Sequence, residues 1–351
     1  MQRRISSSLM LLSLLLLTAC SAQPVETQPK PAPEPPAPIV QTPPPTEPAP
    51  LPYTAPLTGL GSQERLDSKR PIMVMINNAP PARPQSGISK ADMIYEILAE
   101  GEMTRFLSIF QSQEPDVIGP VRSIRPYFIQ IGIGFDAVLV HAGGSQEALE
   151  TLARSDYSHL DEIPNGRYFW RENFRKAPHN LYTKPELLKQ AMQDKNMRTT
   201  SEVPHFTFLP ADAVITEGEP ATKIDLTFHS LNKAGFVYDE KEKKYMRFTA
   251  GKPHVDLSDN KQLSTTNLLV IAAKHRVLDS EGRRQVDVVG PGDGYLFQQG
   301  KARKIKWKRS GGVIRAYSDA ALTEELPLLP GNTWIEILPT SPGLGQALKF
   351  Q

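Results

Sequence analysis

FDAVLVHAGGSQEALETLARS, residues 135–155, is the stretch that decides the fold class of this chain. Phe135 to Val140 is apolar apart from Asp136, too short for a helix and suited to a buried strand. Gly143-Gly144 supplies a tight turn. Ser145 then offers a hydroxyl to cap the free N–H groups of a helix built from QEALETLA. Strand, glycine turn and helix form the repeating unit of α/β folds, where ligands collect outside the carboxyl ends of the strands. His141 follows the strand directly, which makes it the best-placed single candidate for chemistry.

Working outward, Ile72 to Ile76 reads as a second buried strand leading into the proline-rich loop NNAPPARPQSG (77–87). Asp92 to Phe110 suits a hairpin turning at Gly101-Glu102. Lys184 to Asp194 suits a helix with Pro185 in its first turn. After Arg198 the texture changes to short β-type runs: 224–228, 236–239, 245–249, 267–273, 285–289 and 295–298. KARKIKWKR (301–309) alternates, so that Ile305 and Trp307 face inward while Lys304, Lys306 and Lys308 face solvent. The expected class is α/β with α+β mixing: a mixed-sheet domain at 57–200, followed by a mainly β domain at 210–345.

Residues 1–20, MQRRISSSLMLLSLLLLTAC, carry a basic start and a short apolar run. Such a run suits a secretion signal and is too short to span a bilayer. Leu17-Thr18-Ala19-Cys20 matches a lipobox, making Cys20 the expected acylation site, with diacylglycerol and a further acyl chain such as palmitate holding the protein at the membrane. It is the only cysteine, so the expected extracytoplasmic body has no disulfide and no thiol nucleophile. Ser21 offers no inner-membrane retention signal. Residues 21–56 hold fourteen prolines and almost nothing large and apolar. They read as an extended, core-less linker, which at about 3.1 Å per residue reaches on the order of 100 Å. Losing Arg3 and Arg4 with the signal leaves 38 basic and 38 acidic residues, a balance that gives no reason to expect nucleic-acid binding.

The polar constellations lie in NNAPPARPQSG, YEILAEGEMTRF (95–106), GPVRSIRPYF (119–128), HAGGS (141–145) and RKAPHNLY (175–182). They define a candidate cleft of Arg83, Glu96, Glu100, Arg105, Arg122, Arg125, His141, Ser145, His179 and Asn180. Several arginines with fork geometry suit a carboxylate or phosphate. Alternatively, Arg122 and Arg125 pair internally with Glu96 or Glu100. Ser145 lacks the GxSxG elbow of a nucleophile, and no HExxH or close histidine pair argues for a metal.

At ARPQSG, GPVRSIRPYF, VHAGGS, RKAPHNLY and GNTWIEILP (331–339) the chain resembles the YerB-like bacterial lipoprotein family, a domain of unknown function, over roughly 57–340. The resemblance implies an α/β first domain, a family-specific C-terminal domain and the lipid anchor, but no activity and no cofactor. Two positions depart from its pattern: Asn77 stands where an acidic residue is expected, and Glu102 replaces the second glycine of the hairpin turn. Three functions fit the sequence. The first is a membrane-anchored envelope lipoprotein binding an anionic or glycan envelope component or a partner protein. The second is an envelope hydrolase cutting a phosphodiester or acyl bond, with a histidine acid/base and arginine stabilisation of developing negative charge. The third is a structural scaffold.

Overall fold

Hydrophobic alternation within IMVMIN sends Met73 and Met75 to one side of a sheet and Val74 and Ile76 to the other, all of them buried. In the computed structural model, which describes residues 51–351 apart from Leu231, this is strand β1 (Ile72–Asn77). The expected hairpin follows as β2 (Met93–Leu98) and β3 (Thr104–Phe110), turning where Gly101 takes a φ of +55°. Helix α1 (Pro126–Ile133) was not foreseen. It packs so closely that a Cβ on its Gly132 would meet Leu139 and Met73 at 2.4 Å. Next come β4 (Val138–His141) and α2 (Gln146–Ala153), the latter capped by the Ser145 hydroxyl, which accepts from the Ala148 N–H at 3.3 Å. Strand β5 (His159–Asp161) and α3 (Pro185–Asp194) close the first half.

The second half is mainly strand, as its texture predicts: β6 (Lys223–His229), β7 (Asn232–Asp239), β8 (Lys244–Thr249), β9 (Asn267–Ala273), β10 (Gly292–Gln298), β11 (Lys301–Ser310), β12 (Val313–Tyr317), β13 (Thr333–Pro339) and β14 (Leu348–Phe350). Ile305 and Trp307 on β11 point into the core.

One mixed sheet of eleven strands contains both halves, in the order Glu219–Pro220, β11, β10, β9, β13, β2, β3, β1, β4, β5, with β12 paired to β11. The sheet therefore crosses the expected boundary near 200–210. Strand β13, from the end of the chain, lies parallel between β9 and β2 and joins the halves. α1 and α2 cover one face of this sheet. The other face carries α3 and a second, smaller sheet of β6, β7, β8 and β14 with two short strands. Cover on both faces explains why β1 and β9 read as nearly continuous apolar runs. Ordered structure also begins earlier than residue 57. Tyr53–Thr54 pairs with Gly61–Ser62, and Ala55 is buried. Cys20 and the signal segment lie outside the described residues.

Candidate functional site

The carboxyl ends of β1, β2, β4 and β5 come out along one edge of the sheet, and most of the candidate side chains gather there. Asn77 ends β1 and lies in register with Arg105, the second residue of β3. Segment 119–125 is stitched across this edge: the Arg122 N–H donates to the Met75 carbonyl at 2.8 Å, and the Ala142 N–H to the Arg122 carbonyl at 3.1 Å.

Here the arginines divide. Arg105 donates to the Ser123 carbonyl at 2.9 Å and to one oxygen of Glu100, while Arg125 pairs with the other oxygen of that carboxylate. Both guanidiniums are nearly enclosed, and burial draws that of Arg105 down to about 10. The internal pairing weighed from sequence therefore exists for Arg125, through Glu100. Arg122 is different. Its guanidinium is half-buried, and among the described residues it has neither a carboxylate nor a hydrogen-bond partner. Burial first, and the charge of Arg105 second, lower its pKa.

His179 stands beside Arg122 on the loop between two short paired strands, Trp170–Arg171 and Leu181–Tyr182. The Asn77 amide oxygen accepts from the Ala79 N–H at 3.0 Å, which leaves its NH₂ to donate to His179 Nδ1 at 2.9 Å. An accepting Nδ1 places the imidazole proton on Nε2. Partial burial, then Arg122 and then Arg175 depress the His179 pKa, so the ring is neutral and presents an N–H donor. Arg175, which the candidate set lacked, donates to the carbonyl oxygens of Ala82 (2.6 Å) and Pro84 and to the Tyr182 hydroxyl (2.9 Å). These acceptors are neutral, so its charge, like that of Arg122, is uncompensated by any carboxylate among the described residues. Asn180, also buried, ties the same loop by donating to the Glu172 carbonyl at 2.8 Å.

Three candidates do not face this edge as expected. His141 is fully buried rather than lining a cleft. It bonds through Nδ1 to the Gly143 carbonyl at 2.9 Å and through Nε2 to His159 at 3.2 Å, and burial pulls its pKa down to about 4. Glu96 is likewise sealed in the core. It accepts from Asn78 (2.9 Å), Thr104 (2.6 Å) and Arg247 (2.5 Å) rather than from Arg122 or Arg125. Ser145 is the helix cap described above, and it borders a separate surface cavity of about 230 Å³ shared with Arg125, Arg283 and Arg284. Arg83 donates to Asn78 Oδ1 at 2.9 Å, at the mouth of the buried network around Glu96. That network runs on through Arg247, which also donates to Glu336 at 2.7 Å and to His254, which in turn bonds Gln85. The sequence did signal part of it, because YEIL and WIEIL each place a glutamate inside an apolar strand.

No group of three or more His, Cys, Asp or Glu side chains is gathered to hold a metal ion among the described residues. No described helix is long and apolar enough to cross a membrane.

A mixed-sheet α/β protein with an arginine- and histidine-rich carboxyl edge and a β-rich second half is the class these features define. Residues 57–198 match the N-terminal domain, and residues 224–335 the C-terminal domain, of the family described as protein of unknown function (DUF3048). A Bacillus subtilis (strain 168) protein named "Putative lipoprotein YerB" is 39% identical over 289 residues, 81% of this chain and 86% of that protein. The crystal structure of YerB from Bacillus subtilis superposes with a TM-score of 0.77 at 37% identity, covering 85% of this chain and 99% of the other. The chain belongs to the YerB-like family.

Proposed function

We propose that this protein is a lipid-anchored component of the cell envelope, held at the membrane through acylated Cys20, and that its carboxyl-edge site binds an anionic envelope constituent. The observation that carries the binding reading is the pair Arg122 and Arg175, two half-buried guanidiniums without a carboxylate partner, flanking a neutral His179 that offers Nε2–H. Holding unpaired cations partly out of water costs free energy that a bound carboxylate or phosphate recovers. The anchor reading is supported by the lipobox and by the name of the Bacillus relative. In the hydrolase alternative His179 would be the base, but its Nε2 already carries the proton, so the ring is set to donate.

Thermal unfolding with added inorganic phosphate or an anionic polymer tests the site. Melting temperature should rise with ligand concentration in the wild type and stay flat in Arg122→Gln; equal behaviour of the two removes the binding reading. Detergent partitioning of wild type against Cys20→Ala tests the anchor, which fails if both behave as soluble protein.

A further inference from the structure

Phe174 lies between the paired strands Trp170–Arg171 and Leu181–Tyr182, and 60% of it is exposed. Scattered exposed apolar side chains are ordinary, but this one is carried by a loop fixed on several sides. The Glu172 N–H donates to the Asn180 carbonyl at 2.9 Å, and the His179 N–H to the Lys176 carbonyl at 3.0 Å. Arg175 pins the same loop to Ala82, Pro84 and Tyr182. The Arg175 guanidinium also stands 5.2 Å from the centre of the Phe174 ring, and Tyr182 stands 6.2 Å away. An aromatic ring open to solvent is thus carried by a hydrogen-bonded loop, five residues from His179 and against one of the two uncompensated guanidiniums.

We propose that Phe174 is a sugar-stacking platform and that the anion received by Arg122, Arg175 and His179 is the acid group of a glycan. The proposal rests on the anion-binding reading above and names its ligand class. A pyranose presents an apolar C–H face that packs on the electron-rich face of an aromatic ring. Its carboxylate or phosphate projects from the ring edge, where a guanidinium fork and an imidazole N–H can take it. Because the loop is already ordered, binding loses little further conformational freedom.

Calorimetric titration of the full acylated chain in detergent tests this with four probes. They are an oligogalacturonate, its methyl-esterified neutral form, a sugar-phosphate oligomer and polyglutamate of matched charge. At least one acidic glycan should bind more tightly than both polyglutamate and the neutral sugar. Phe174→Ala should weaken that binding about three- to tenfold and leave polyglutamate unaffected, while Arg122→Gln should weaken every anion. If polyglutamate binds as tightly as the acidic glycans, or Phe174→Ala changes nothing, the glycan assignment falls and the anion site stands. If no anion binds, or Arg122→Gln has no effect, both fall.

Discussion

Glu96 and Glu336 stand opposite each other in register on the adjacent parallel strands β2 and β13, and the Arg247 guanidinium donates to both. Two carboxylates and one guanidinium, all fully buried, would carry a net negative charge. Burial, then the neighbouring Glu96, push the Glu336 carboxyl well above its ordinary range, so Glu336 holds a proton. The Arg247 face packs 4.5 Å from the Trp334 ring centre, with Phe106 and Phe236 also beside it. The result is a neutral, three-membered polar bridge between the two halves of the chain.

Below about pH 4.5, where Glu336 is protonated folded and unfolded alike, Glu336→Gln mimics the acid and should change stability by no more than about 1 kcal/mol. Arg247→Met leaves Glu96 buried without its cation and should cost about 3–5 kcal/mol. A folded pKa above the unfolded one means that Glu336 favours the folded state below the ordinary glutamate value of 4.5 and loses that contribution as pH rises through its raised folded value. Glu336→Gln should therefore flatten the decline of stability with rising pH. Urea denaturation at several pH values measures both effects. A loss in Glu336→Gln as large as in Arg247→Met contradicts the assigned proton.

Acid should destabilise the protein through His141. Its pKa falls from 6.5 in the unfolded chain to about 4 in the fold, so its contribution is present above pH 6.5 and is lost as pH falls through about 4. His141→Asn, which stays neutral, should show a shallower loss over that interval. Identical slopes in the two proteins would mean that other groups govern the acid limb.

Arg122 and Arg125 are three residues apart and should respond oppositely to truncation. Arg125→Ala leaves Glu100 with half of its ion pairing and should cost about 3 kcal/mol. Arg122→Ala removes a cation with no partner among the described residues, so the change should stay within about 0.5 kcal/mol. Chemical denaturation of the two variants decides it, and equal losses would put Arg122 in the structural network.

Asn77→Asp replaces an amide donor with a carboxylate acceptor 2.9 Å from His179 Nδ1. The imidazole proton should move to Nδ1, and the His179 pKa should rise by about one pH unit or more, because an adjacent carboxylate favours the charged ring. NMR titration of the histidine signals reads both changes. An unmoved pKa would show that burial, Arg122 and Arg175 outweigh the new carboxylate.

The sequence carried the local elements well. The 72–76 run, the Gly101 turn, the Ser145 cap and the inward phase of Ile305 and Trp307 all follow from short-range pattern, whereas the strand expected at 135–140 begins only at Val138, after a turn at Asp136 with φ +47°. α1 was missed because a helix wedged against a sheet over most of its surface shows little amphipathic contrast. Side-chain partners were harder still. Periodicity tells which face Glu96 occupies but not that Arg247, 151 positions away, lies across from it. Nor does it distinguish Arg125, which finds Glu100, from Arg122, which does not. His141 was placed at the right strand end, but whether such an end opens to solvent depends on the neighbouring strand β5 and its His159, which no local pattern reveals.

The position of β13 bears on when this chain can fold. Until residues 333–339 have emerged, β2 has one bare edge and Glu96 faces an unfinished wall. The sheet begun by residue 72 is therefore completed only once residue 339 has been made. Long-range pairing of this kind slows folding, and an unfilled strand edge invites pairing with other chains in the meantime. A protein truncated before β13 would therefore be a candidate for aggregation rather than a free-standing first half, and quality control in the cell would meet it as unfinished chain.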